Sequence, residues 1–253
     1  MNVAAIIQAR MGSTRLPGKV LKKILGKPLL EYQMERVSRA QTIHDIVIAT
    51  TIKESDDPIV QFCQQLSIPY YRGSEEDVLS RYYEAATQFH VDVIVRLTSD
   101  CPIIDPNVID KVVEHYLENK DQYDYVSNVV TRTYPRGLDT EVMPYQTLKR
   151  AHEEAKDLSW REHVTAYIYS HPDRFRLGNV FNEKDESQHR WTVDTEEDFL
   201  LIRNILETLY PVNQSFTLGD VIHILRDRPE WLEINAHIEQ KNYRLCTRGE
   251  CCI

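Results

Sequence analysis

The chain has 253 residues, 42% hydrophobic and 27% charged, with a formal net charge of −9 at pH 7. That length suits one large α/β domain, or one domain with an appended lobe, and can bury a substantial core. The acidic balance argues against general binding to nucleic acid or to a membrane surface, both of which call for a basic face.

No run approaches the ~18 consecutive apolar residues of a membrane span. The N-terminus enters a strand with no basic, apolar leader, so the expected compartment is the cytoplasm. There Cys63, Cys101, Cys246, Cys251 and Cys252 are expected as thiols and not as a disulfide framework. The last three lack C-x-x-C spacing and a nearby His, and read as a flexible tail with reactive thiols.

The apolar run at 3–7 predicts a short buried strand. It stops in the loop Q-A-R-M-G-S-T-R-L-P-G-K at 8–19, which holds Arg10, Arg15 and Lys19 with Ser13, Thr14, Gly12 and Gly18. Gly12 is expected to permit a tight turn whose main-chain N–H groups face one concavity. Three cations around such a nest suit a ligand with several phosphate oxygens. The spacing matches neither the phosphate loop of the NTPases nor the three-glycine dinucleotide fingerprint. A solvated basic loop is the plain alternative. The loop's place at the carboxyl end of the first strand, where open parallel sheets gather ligands, favours a binding site.

Pro28 opens a helix with Leu29, Leu30, Met34 and Val37 as its stripe. Residues 46–50 are a second strand. Asp57 and Pro58 then start a helix lined by Ile59, Val60, Cys63 and Leu66. A third strand at 68–71 ends in R-G-S-E-E-D, where Ser74 with Asp77 reads as a capping-box variant opening a helix. Residues 91–98 are the fourth strand, followed by Ser99-Asp100-Cys101-Pro102, a helix from Pro106, and a fifth strand at 123–130. This alternation means βαβ units: an α/β fold with a mainly parallel sheet and helices on both faces. The rhythm breaks over 131–190, read as an inserted lobe covering the sheet edge, with helices near 145–156 and 159–170. Residues 190–198 predict a short strand running into a helix, and 217–225 a last amphipathic helix. The tail at 232–253 has no assignment, and the whole chain reads as a single domain with its lobe and tail.

Asp100 ends the fourth strand at the same sheet edge as the basic loop. A carboxylate there repels phosphate unless a cation lies between, and Mg²⁺ is the natural bridge. The competing reading is an Asp that caps a turn.

The basic loop, R-L-T-S-D-C-P-I-I-D at 96–105 and T-V-D-T-E-E-D-F at 192–199 together resemble the motifs of the sugar-acid cytidylyltransferases. These enzymes make CMP-activated sialic-acid-like and octulosonic-acid sugars. Within them the chain resembles the spore coat polysaccharide biosynthesis protein F family, through about residue 200. The resemblance implies a Rossmann-like, GT-A-like nucleotidyltransferase fold. It implies Mg²⁺-dependent transfer of CMP from CTP to a small acidic sugar, with release of pyrophosphate, in polysaccharide biosynthesis such as that of the spore coat. Asp100 and Asp194 match the metal positions, while Thr195 and Asp198 read as a plain capping box. Ala9, Arg10, Gly12, Ser13 and Lys19 are expected to hold the nucleotide, with Arg10, Arg15 and Lys19 offsetting charge on the leaving pyrophosphate. Gly73 and Ser74 match the positions that hold the pyrimidine, with Arg72 and Arg81 nearby.

For the acceptor, an arginine suits the carboxylate and acidic side chains suit the hydroxyls. Arg136, Asp139, Glu141 and His163 are the residues expected there, and Arg161 and Glu162 lie close by in sequence. This part departs from the octulosonate and sialate enzymes, so the acceptor stays open, as do the metal count and the general base, for which His163 is a weak choice. The resemblance also implies a homodimer. Two other readings remain. One is a glycosyltransferase of related fold, although a D-x-D motif is missing at Asp100. The other is a nucleotide-binding protein without turnover.

Overall fold

Strand β1, Val3–Gln8, is apolar on both faces, and both are buried. Val3, Ala5 and Ile7 join one core while Ala4 and Ile6 join another, as the two-residue period of a strand requires. The structure is a computed structural model and describes residues 1–239. The cysteine tail at 246–252 lies outside the described residues.

A small hairpin, β2 (Lys23–Ile24) and β3 (Lys27–Pro28), leads into α1 (Leu29–Val37). The chain continues as β4 (Asp45–Thr51), α2 (Asp57–Gln65), β5 (Tyr70–Gly73), α3 (Val78–Gln88), β6 (Val93–Thr98) and α4 (Pro106–Glu118). Next come β7 (Tyr125–Ser127), β8 (Glu141–Pro144), α5 (Tyr145–Glu154), α6 (Leu158–Glu162) and α7 (Ala166–Ser170). β9 (Leu177–Asn179), α8 (Glu196–Leu209) and α9 (Leu218–Asp227) complete the described elements.

Among the described residues one 7-stranded sheet runs in the order β5-β4-β1-β6-β8-β7-β9. It is mainly parallel, with β8 antiparallel to both its neighbours. Helices α1, α2 and α4 cover one face through Met34, Phe62 and Val112, and α3, α5 and α7 cover the other through Tyr82, Leu148 and Ile168. Helices α8 and α9 form a third apolar cluster with Leu29 and Tyr32 of α1, centred on the buried Trp191. The expected α/β architecture, a mainly parallel sheet with helices on both faces, is therefore present. Among the described residues no helix is long and apolar enough to cross a membrane.

Several local expectations change. The segment 131–190 is not a lobe beside the sheet, because it supplies β8 inside it and β9 at its edge. β8 is four residues long, too short for its alternation to register in the sequence. The fifth strand shrinks to Tyr125–Ser127, and the helix expected at 159–170 breaks into α6 and α7 where Val164 turns left-handed, φ 51°. No strand forms at 190–198; its one ladder contact is an isolated bridge from Arg190 to Arg136. Asp77, not Ser74, caps α3, accepting from the Ser80 N–H at 2.8 Å. Ser74 Oγ accepts from the Asp77 N–H at 3.0 Å.

The bridge at Arg136 depends on its neighbour. Gly137 sits at φ 102°, and a Cβ there would lie 2.8 Å from both carbonyl atoms of Trp191. On either side the Arg136 N–H donates to His189 O at 3.0 Å, and the Trp191 N–H donates to Arg136 O at 2.8 Å. Gly137→Ala must therefore accept a strained backbone and push two segments of the chain apart. It should lower the free energy of unfolding by about 1–3 kcal/mol. Chemical denaturation checks this, and an unchanged midpoint would show that the joint yields without cost.

Candidate active site

The carboxyl ends of β1 and β6 lie side by side in register, Gln8 opposite Thr98. Beyond β1 the basic loop is anchored by its own main chain. The Met11 N–H donates to Asp56 Oδ1 at 2.7 Å, and Met11 O accepts from Ser13 N–H at 2.9 Å and Gly18 N–H at 3.0 Å. The left-handed glycine is Gly18, at φ 67°, and not Gly12. The Ser13 N–H, expected to face the concavity, is thus engaged within the loop. Gly18 and the following turn, Lys19–Leu21, carry Lys19 inward.

Beyond β6, Asp100 takes a hydrogen bond from Thr98 Oγ1 at 2.5 Å. The Val193 N–H donates to Asp100 O at 2.8 Å, and this one backbone bond brings Asp194 beside Asp100. Lys19 Nζ lies 2.7 Å from Asp194 Oδ1 and 3.8 Å from Asp100 Oδ2. Asp194 Oδ2 meets Arg190 Nη2 at 2.9 Å and Arg15 Nη2 at 3.1 Å. Burial opposes ionisation of Asp194, but Lys19, Arg15 and Arg190 outweigh it and hold the carboxyl below its ordinary range. Burial likewise disfavours the Lys19 ammonium, yet Asp100 and Asp194 reverse this and raise its pKa above the ordinary value. The two aspartates, expected as metal ligands, therefore converge on one positive charge.

A cavity of about 820 Å³ opens over this pair. Ala9, Arg10, Ser13, Arg15 and Lys19 line it, as do Asp100 and Asp194. Arg136, Asp139, Glu141 and His163 line it too, so every acceptor residue expected from sequence faces the same space. Three expected nucleotide contacts do not line it: Gly12, Gly73 and Ser74. A Cβ at Gly73 would meet Arg81 Cγ and the Tyr71 ring at 3.0 Å, so this glycine makes room for Arg81. Ser74 O accepts from Arg81 Nη1 at 2.8 Å.

Arg81 itself, which sequence alone could not separate from a solvated arginine, is buried and lines the cavity. Arg72 turns away to Thr51 O and Lys53 O, both at 2.9 Å. Arg161 clamps the Asp77 cap of α3 at 2.7 Å, whereas Glu162 lines the cavity.

Sequence reasoning missed Arg96 and Arg132. Arg96 pairs with Glu141 at 2.8 Å across the antiparallel β6–β8 register. Arg132 grips both oxygens of Asp139, at 2.5 and 2.8 Å. A charged residue inside the apolar strand V-I-V-R-L-T was the available signal for Arg96; Arg132 had none. Arg136 differs from both, since among the described residues it forms no ion pair. Burial and the like charges of Arg132 and Arg190 lower its pKa against the pull of Asp139. An unneutralised guanidinium on a cavity wall suits an anionic group on a ligand. His163, where α6 ends, is pushed down by burial and so favours its neutral form.

The donors also bear on a metal. Among the described residues no cluster of three or more His, Cys, Asp or Glu side chains exists, which disfavours an all-protein metal cage. Two carboxylates sharing one cation position fit Mg²⁺, which takes one or two carboxylates and completes its shell with phosphate and water oxygens.

A model of the cytidylyltransferase family matches residues 4–243. An uncharacterized protein of Methanocaldococcus jannaschii is 39% identical over 248 residues, 96% of this chain and 98% of that one. The spore coat polysaccharide biosynthesis protein SpsF of Bacillus subtilis is 35% identical over 215 residues, 81% of this chain and 87% of that one. A solved cytidylyltransferase structure from Leptospira borgpetersenii matches with a TM-score of 0.87 and 31% identity, over 92% of this chain and 97% of that chain.

Proposed function

The chain belongs to the cytidylyltransferase family, and on that premise we propose that it transfers CMP from CTP to a sugar acid, releasing pyrophosphate, in polysaccharide biosynthesis. The observation that carries this reading is that Lys19 meets Asp100 and Asp194 in the wall of one cavity, which the basic loop and Arg136 also line. An anionic donor and an anionic acceptor each find cations there, with the carboxylate pair in the same wall.

Arg10, Arg15 and Lys19 hold the triphosphate and offset the charge that builds on pyrophosphate as it leaves. Arg81 faces the cavity near the start of this loop and takes the base contact expected of Gly73 and Ser74. Arg136 binds the acceptor carboxylate. Asp139 and Glu141, already held by Arg132 and Arg96, keep lone pairs for sugar hydroxyls and turn the acceptor so that one hydroxyl lines up for attack. His163, favouring its neutral form, can take the proton from that hydroxyl. Asp100 and Asp194 would hold Mg²⁺, which when bound neutralises phosphate charge around the bond that breaks.

Pyrophosphate release should need CTP, Mg²⁺ and an acidic sugar together. Release of a nucleoside diphosphate from a nucleotide-sugar would point to glycosyl transfer instead, and CTP binding with no turnover over a broad acceptor panel would leave a binding protein. We further propose a homodimer, which sedimentation velocity tests.

A further inference from the structure

Asp198 does what a capping box needs: it accepts from the Thr195 N–H at 3.1 Å while Thr195 Oγ1 accepts from its own N–H at 3.3 Å. Its carboxylate does considerably more. It is fully buried, at 0% exposure, and accepts from Arg190 Nε and Nη2 at 2.9 Å each. It also accepts from the Asp194 N–H at 3.0 Å and from Asn235 Nδ2 at 2.9 Å. The same Arg190 Nη2 donates to Asp194 Oδ2 at 2.9 Å, and Asn235 donates back to Arg190 O at 3.0 Å. Asp194 is thus gripped twice by one carboxylate, at its main chain directly and at its side chain through Arg190. A helix cap needs only backbone donors, so neither the bidentate arginine nor Asn235 is explained by capping.

We propose that Asp198, acting through Arg190, is a positioning residue for Asp194. It turns Oδ2 of Asp194 back toward Arg190 and leaves Oδ1 facing Lys19 and the cavity. It also shares the charge of Arg190. Among the described residues Asp194 is the other carboxylate paired with that buried guanidinium, which without Asp198 competes there with any cation entering from the cavity. The inference rests on the proposed function in one respect, that Asp194 holds a divalent ion.

The test titrates Mn²⁺ alone into the full chain, followed by loss of the free-ion electron paramagnetic resonance signal, with thermal unfolding of each variant as a fold control. Asp198→Asn keeps the shape and can still accept from the Thr195 N–H, but loses the charge. It should weaken Mn²⁺ binding roughly 10- to 100-fold, as loss of an outer partner of a metal ligand does. Adding Arg190→Gln to it removes the competing cation and should recover most of that loss, which a purely structural cap would not do. Equal Mn²⁺ affinity in wild type and a folded Asp198→Asn overturns the inference and leaves the proposed function standing, as does a double variant no better than the single one. A wild type that binds no Mn²⁺ removes the metal reading and this inference together. If Asp198→Asn does not fold, Asn235→Ala should shift Mn²⁺ affinity in the same direction by less, and no shift there overturns the inference.

Discussion

Replacing Asp100 or Asp194 by alanine should lower kcat/KM for pyrophosphate release by roughly 10³ or more, the scale of losing several kcal/mol of charge stabilisation in the transition state. The two variants should differ in how they bind. Asp194→Ala removes the carboxylate that Lys19, Arg15 and Arg190 share, so Lys19 and Arg15 face the cavity with less negative charge beside them. CTP binding measured without Mg²⁺ should tighten while turnover collapses, and calorimetry reads this directly. Asp100→Ala removes one partner of Lys19, at 3.8 Å, and frees the Thr98 hydroxyl, so its effect on CTP binding should be smaller. Turnover that survives both replacements would remove the metal assignment. Looser CTP binding by Asp194→Ala would place the triphosphate elsewhere than above Lys19.

The residues of this site were unequally legible in the sequence, for physical reasons. Asp100 could be placed because a long apolar strand ends just before it, and strand ends in a parallel sheet share an edge. Arg10, Arg15 and Lys19 could be placed by the same logic at the end of β1. Which glycine turns the loop was not legible: Gly12 and Gly18 are both permissive in sequence, and only the bond from Gly18 N–H to Met11 O decides between them. The pair Arg96–Glu141 depends on β8 entering the sheet antiparallel beside β6, a long-range pairing that a four-residue strand does not announce. Asp198 was legible as a cap because capping is local. Its grip on Arg190 and Asn235 arises only when three separate stretches of chain are buried together. Local chemistry was readable, and chemistry made by burial was not.

Lys19→Met should lower turnover about 10²–10³-fold, the cost of losing one preorganised donor to developing charge, and should also change how stability depends on pH. The sign follows from both partners. Burial works against the Lys19 ammonium, but Asp100 and Asp194 raise its pKa above 10.5, so its contribution is whole below 10.5 and fades as pH rises through the raised value. Burial works against the Asp194 carboxylate too, yet Lys19, Arg15 and Arg190 hold it below 3.8. Its contribution is therefore whole above 3.8 and fades as pH falls through the lowered value. The melting-temperature gap between wild type and Lys19→Met should accordingly be flat across neutral pH and narrow toward both extremes. The methionine also leaves two carboxylates facing each other without the ammonium between them, a position a divalent ion can fill. Mg²⁺ should raise the melting temperature of Lys19→Met more than that of wild type, because in the wild type the ion must first displace the lysine. If Mg²⁺ moves the two proteins equally, Lys19 does not stand where the ion binds.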